Sequence, residues 1–291
     1  MFREYAIDPE AISSWEKFRF LTSLLGWDHG RLITELPSRW KLKVFEAIKC
    51  RDVEKQRVQI IMKGWDLIRR KDRIYNLPSW QENAIAEHRR INFEKIIVKE
   101  SPQIPCAIPI DELGSEHFHE PRQIVNRNAA EMALAVRLLL QTGEIIKLVD
   151  PYFDPTDHRY SNTFIEFVRT IVDSPYQRDF SRLEIHTGAT GKDEAVHWCD
   201  NIKSQIAELT SKFNLCVDIC IWNRNIMHNR FIMSDKAGVI WGTGLDEQGD
   251  SLKPSDDIFI MSDVQHKQHL AEYSESNTNI AWQHKKIIPR P

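Results

Sequence analysis

Cysteine is scarce in this chain. Its 291 residues include five, Cys50, Cys106, Cys199, Cys216 and Cys220. The number is odd and no pair has CxxC spacing, so neither a disulfide framework nor a zinc ribbon is written into the sequence. Cys216 and Cys220 stand four apart in a β-like run, hence on one face, and read as small buried apolar residues. Long apolar runs are missing too, and the longest falls far short of a membrane span. The opening MFREYAIDPE carries charge and no apolar core, unlike a signal peptide. Neither sign of charge dominates: the net charge of −3 excludes a global nucleic-acid footprint and leaves only local basic surface. There is no internal repeat and no low-complexity tract. Together these absences point to a reduced, cytoplasmic protein that works without a metal or a cofactor.

The length admits one large domain or a domain with a sizeable extension. The first 125 residues read as a mainly helical region. Ile12, Trp15, Phe18 and Leu21 recur at helical spacing, Gly26 to Pro37 breaks regularity, and apolar positions from Trp40 to about Ile74 resume it. Between Arg39 and Arg73 there are 12 Lys or Arg against 5 Asp or Glu, a balance of 12 − 5 = +7. Arg69, Arg70, Lys71 and Arg73 are its densest cluster. They suit nucleic-acid phosphates, and equally a solvated helix face. Residues 100–125 hold Pro102, Pro105, Pro109, Gly114 and Pro121 and read as a linker. His117 and His119 within it are read as loop histidines rather than metal ligands.

From residue 126 to 291 the pattern changes to alternating helices and apolar strands, which indicates an α/β layer with a sheet covered on both faces. A helix is expected over Asn126 to Thr142, ended by Gly143, then a strand over Ile145 to Val149 that runs into Asp150 and Asp154. Those two acids are either a site rim at a strand end or turn caps. Further helices are expected near 162–172, 192–212 and 264–273. Strands are expected near 183–187, 215–222, 258–261 and 279–282. His186, at a strand end, reads as a packed histidine.

The stretch Ile226 to Asp246, IMHNRFIMSDKAGVIWGTGLD, organises this half. His228 and Arg230 are two apart, so on a strand they share a face. Asp235 closes that strand, Lys236-Ala237-Gly238 turns, Val239 to Trp241 returns, and Gly242-Thr243-Gly244 forms a permissive loop beside a hydroxyl. A base or nucleophile, a fixed cation, a carboxylate and a hydroxyl are expected to converge at one strand end. Such a set suits binding a phosphoryl group and attack at phosphorus.

The spacing resembles the phospholipase D superfamily motif, HxKxxxxD, six further residues, then GSxN. His228, Asp235 and Gly242 are in register. Arg230 replaces Lys, Thr243 replaces Ser, and Leu245, followed by Asp246, stands where Asn is expected. Arg can grip phosphate in a bidentate way, whereas Leu removes a phosphate-facing donor. The HxR opening and GxGLD ending are also similar to the phospholipase-D-like C-terminal domain of MIT-domain proteins, where the fold serves binding.

The superfamily resemblance implies a phospholipase-D-like mixed sheet flanked by helices and a metal-independent phosphodiesterase, here a nuclease, acting through a phosphohistidine on His228. Arg230, Thr243 and backbone N–H groups around Gly242 and Gly244 would bind the phosphate, Asp235 would complete the motif, and Asp256 or Asp257 would orient His228. Asp150, Asp154, Asp246 and Asp257 would form the rim. Neither His29, His88 nor His284 opens a second copy of the motif, so a homodimer is expected to supply the second histidine. Defence against foreign nucleic acid would be in character. The alternatives are an inactive phosphate-binding module for nucleic acid or anionic lipid, and an interaction subunit whose N-terminal helices dock a partner protein.

Overall fold

A computed structural model of the protein describes residues 1–100, 106–248 and 254–274, together with the backbone of a strand at 281–287. Pro102 and Pro105, the loop residues 249–253 and the start of the expected last strand lie outside the described residues. Contacts divide the chain into two units: residues 2–120 with 175–177, and residues 121–174 with 178–291 and Met1. Among the described residues no helix is long and apolar enough to cross a membrane.

Among its described residues the N-terminal unit holds four α-helices, α1 (Trp15–Leu24), α2 (Trp40–Ala47), α3 (Asp52–Gly64) and α4 (Trp80–Arg90). They surround a sheet that the periodicity did not announce. Strands β1 (Arg3–Ile7), β2 (Arg31–Ile33), β3 (Lys95–Val98) and β4 (Ala107–Pro109) pair in the order β2-β1-β3-β4, all parallel. Alternation along β1 sends Tyr5 and Ile7 into one core with Phe18, Trp40, Val44 and Val58. Ala6 faces a second core with Ala84, Phe93 and Ile96. The sheet is thus buried on both sides, with α1, α2 and α3 on one face and α4 on the other. Trp40 locks the first face, its Nε1 donating to the Ile7 carbonyl at 2.7 Å. Three- to five-residue strands buried on both faces leave no alternation to read, which is why the helices dominated the pattern.

In the C-terminal unit, β5 (Arg122–Asn126) is an edge strand, so the unit begins at Pro121 and the segment expected as linker is partly sheet. The expected helix over 126–142 is two, α5 (Ala129–Ala135) and α6 (Arg137–Thr142), broken at Val136. Asn128 starts α5 by accepting the Glu131 N–H at 2.9 Å, the role its short amide suits. Gly143 ends α6 with an ordinary negative φ; its lack of a side chain serves packing, since a Cβ there would lie 2.6 Å from Ser234 Cβ.

Then follow β6 (Ile145–Val149), α7 (His158–Val172), β7 (Arg182–Ala189), α8 (Lys192–Thr210) and β8 (Val217–Asn223). After them come β9 (Arg230–Ser234), β10 (Gly238–Trp241), β11 (Ser255–Ile260), α9 (Asp263–Glu272) and β12 (Ala281–Ile287). The eight strands run β12-β8-β7-β6-β9-β10-β11-β5. The three central strands β6, β7 and β8 are parallel and the rest are antiparallel, giving a mixed sheet flanked by helices. Val149, Phe231, Met233 and Trp222 share one face with Tyr273 at the end of α9. The other face, reached by Arg230 and its neighbours, meets α7.

Candidate functional site

The site is built on β9 and the ends of the strands beside it. Arg230 pairs with Trp241 on β10, and Trp241 with Ile258 on β11. Leu148 pairs with Ile232. Alternation therefore assigns Arg230, Trp241, Asp256 and Asp150 to one face of the sheet. Met227 packs with Phe231 on the opposite face; His228, expected on the strand with Arg230, lies two residues before β9 begins. His228 is exposed and makes no hydrogen bond or ion pair with a described residue.

Arg230 is half-buried, and its Nε is buried without a hydrogen-bond partner. Its guanidinium carbon lies 5.4 Å from the centre of the Tyr152 ring, and that of Arg224 lies at the same distance from the same ring. The Arg224 Nε is also buried and unpartnered. Tyr152 itself is 54% exposed, so two cations flank an open aromatic face. The Thr243 hydroxyl is buried with no partner. Buried donors are nearly always satisfied, and these three, after β8, at the start of β9 and after β10, are exceptions.

Behind them lies Asp150, 1% exposed. It accepts the Leu245 N–H on Oδ2 and the Tyr152 N–H on Oδ1, each at 2.9 Å. Burial pushes its carboxyl up to about 6, against the lowering effect of those two N–H groups and of Arg230. Asp246, also buried, pairs with Arg127 at 2.5 Å and with Arg159 at 3.3 Å. Burial, with Asp150 and Asp246 nearby, raises the Tyr160 hydroxyl far above its ordinary value.

No protein-family model matches the chain, and no curated protein matches it. Solved structures similar to it include a phospholipase D family member, Nuc from Salmonella typhimurium. It is 10% identical with a TM-score of 0.35 and covers 55% of this chain and 95% of that one. TrmBL2, an archaeal chromatin protein described as showing a novel mode of DNA binding, is 11% identical with a TM-score of 0.32. That alignment covers 56% of this chain and 55% of that one.

Several expected members of the site stand elsewhere or act differently. Asp235 does not converge with Arg230: it follows the far end of β9, roughly 16 Å away at ~3.3 Å per residue. There it accepts the Glu144 N–H at 2.7 Å and holds the start of β6. Asp256 accepts the Thr243 N–H at 2.7 Å and has no hydrogen bond to His228. Asp257, next along the strand and so on the other face, pairs with Arg122 at 3.0 Å. Asp154 turns back on its own loop, accepting from Thr156 N–H and hydroxyl.

The glycine loop is also turned inward. The N–H groups of Thr243 and Leu245 donate to Asp256 and Asp150 rather than outward. A Cβ on Gly242 would lie 2.5 Å from Asp256 Oδ1, and one on Gly244 2.5 Å from Asp246 Oδ1. Both glycines make room for carboxylates, not for phosphate. His186 belongs to the other face: its Nδ1 accepts from Trp222 Nε1 at 3.0 Å, leaving Nε2 to donate to Glu184 at 3.1 Å.

In the N-terminal unit, the basic cluster is largely structural. Arg73 is 4% exposed, pairs with Glu4 at 2.7 Å and Glu87 at 3.4 Å, and lies 3.9 Å over the Phe93 ring. Arg70 pairs with Asp72 at 2.8 Å and stacks on Tyr176. Only Arg69 and Lys71 of the four are exposed. His117 accepts the Gly114 N–H, and His119 bonds the Tyr5 hydroxyl.

Arg127, Tyr152, Arg159, Tyr160 and Arg224 were not singled out from the sequence. The pairing of Asp246 with Arg127 and Arg159 spans 119 and 87 positions, and no local spacing encodes it. The Tyr152 signal was closer to hand, since VDPYFD places an aromatic just past a strand end.

Proposed function

We propose that the C-terminal unit is a metal-independent phosphodiesterase of the phospholipase D type, acting on nucleic acid. His228 attacks phosphorus and forms a phosphohistidine; the oxygen of the leaving strand departs, and water then releases the phosphate ester and restores the imidazole. Arg230 holds the phosphoryl oxygens and supplies the charge that a metal would otherwise provide. The observation that supports the reading is an exposed, unengaged His228 two residues before Arg230, whose Nε, like the Thr243 hydroxyl two residues after its strand partner Trp241, is buried without a partner. Nucleic acid is preferred as substrate because Arg224 and Arg230 flank the open ring of Tyr152, a combination of cation and stacking surface that suits phosphates and bases. The proton for the leaving group comes from His228 of a second copy in a two-fold dimer.

Cleavage of single-stranded and duplex DNA and RNA in excess EDTA tests this. Wild-type protein should cut, and His228→Ala should be slower by at least ~10²-fold. No cleavage by a folded dimer ends the catalytic reading. A specific observation favours a second one, recognition without turnover. Leu245 is buried where the motif has its phosphate-facing Asn, and the loop N–H groups of Thr243 and Leu245 donate to carboxylates. Salt-dependent binding of nucleic acid that needs Arg230, with no cleavage, is its signature.

A further inference from the structure

The N-terminal sheet changes winding direction between β1 and β3. From β1 the chain crosses to β2 on one side, and from β3 it crosses to β4 on the other, every pairing being parallel. Two adjacent parallel strands whose next strands lie on opposite sides mark a topological switch point. A crevice opens beyond the carboxyl ends, and that is where open parallel sheets bind their ligands. Here a cleft of about 1000 Å³ occupies the spot, bordered by Asp8 directly after β1 and Lys99 directly after β3. Its size is that of a cofactor or nucleotide site.

The lining has three kinds of group. Asp8 is half-buried; one carboxylate oxygen accepts the Glu10 N–H at 3.0 Å, and the other has no hydrogen-bond partner among the described residues. Burial raises its carboxyl. Lys43 and Lys99 are exposed, and the nearest acid to Lys99 is Glu10 at 4.0 Å, a loose surface pair that leaves the ammonium free to exchange partners. Tyr75 and Trp80 supply flat apolar surface, and Trp80 is fixed by its Nε1 donating to the Leu36 carbonyl at 2.8 Å.

Three lysines, Lys43, Lys49 and Lys99, are balanced by three acids, Asp8, Glu10 and Glu46. A bare polyanion would meet as much repulsion as attraction. A molecule that carries phosphate, hydroxyl groups and a planar ring in separate places matches all three. We propose that this cleft binds a nucleoside phosphate, its ring against Tyr75 and Trp80, its phosphates at Lys43 and Lys99, and its ribose hydroxyls donating to Asp8. No residue of the cleft belongs to the His228–Arg230 site, so the two readings stand or fall separately.

Calorimetric titration of the full chain with ADP, adenosine and inorganic pyrophosphate is the test. ADP should bind with a micromolar Kd, and adenosine and pyrophosphate at least tenfold more weakly. Asp8→Asn, which keeps a capping side chain, and the exposed double change Lys43→Gln with Lys99→Gln should each weaken ADP at least tenfold at unchanged melting temperature. Arg230→Gln should bind ADP as wild type does. Absence of heat at millimolar ADP overturns the proposal. So does pyrophosphate binding as tightly as ADP, and so does ADP affinity that depends on Arg230 and ignores the cleft variants.

Discussion

Arg73 in the N-terminal unit and Arg230 in the C-terminal unit are the same side chain under opposite conditions. Arg73 is buried between Glu4 and Glu87 and donates to both. Arg230 is half-buried, its side chain donates to no described residue, and it lies over the Tyr152 ring, as a second arginine does. The sequence ranks them the other way if local charge is counted, because Arg73 lies in the basic run. The lesson is that density of positive charge does not mark a phosphate site. A cation whose hydrogen bonds are already made serves stability, and one whose donors are left over is available to a ligand.

The comparison breaks first at Arg73. Arg73→Ala leaves the buried Glu4 without its cation and Glu87 with Arg90 alone, and should destabilise the N-terminal unit by about 3 kcal/mol, read by denaturant unfolding. Arg230→Ala should shift the same curve by less than ~1 kcal/mol, since it strands no buried partner other than Asp150, which keeps its two N–H bonds. Equal losses for both changes would erase the distinction.

Asp150 sharpens it through pH. Its folded-state carboxyl, raised by burial to about 6 from 3.8, holds its proton at pH values where the unfolded chain has lost it. Its contribution is therefore fully present below pH 4 and is lost as pH rises through 6, amounting to about 3 kcal/mol at most. The difference in unfolding free energy between wild type and Asp150→Asn should change with that sign between pH 4 and 6. A flat difference would mean that Arg230 neutralises Asp150 more fully than burial opposes it.

Smaller effects separate the two surfaces in binding. Arg230→Lys should weaken an oligonucleotide about tenfold, because an ammonium cannot reproduce the planar fork. Arg69→Ala and Lys71→Ala, on the exposed remnant of the basic run, should change it by less than ~0.5 kcal/mol each at physiological salt, the usual range for isolated surface charges. If the order is reversed, the N-terminal surface is the grip after all.

Much of the C-terminal unit was legible. Its helices and strands lie close to where the periodicity puts them, because β6, β7 and β8 are apolar and α7 presents one apolar side. The β9 and β10 hairpin announced itself by alternation and by Lys236-Ala237-Gly238. The exceptions have physical reasons. Asp235 and Arg230 stand at the two ends of one strand, and a strand separates its ends by its length. Gly242 and Gly244 suggest a ligand-facing loop, yet a glycine says only that something approaches the backbone, and here that something is Asp256 and Asp246. β1 to β4 escaped notice because short parallel strands buried on both faces carry no alternation.

The sequence by itself determined which faces residues occupy. Two-residue spacing puts Arg230, Ile232 and Ser234 on one side of β9 and Phe231 and Met233 on the other, and no tertiary arrangement of a β-strand alters that. What only the tertiary structure decided is which polar groups are left over. Asp246 meets Arg127 and Arg159, Asp150 meets the Leu245 N–H, and Arg73 meets Glu4, all through contacts between positions far apart in the chain. A hydrogen bond depends on distance in space. A site defined by donors without partners can be seen only once every partner has its place.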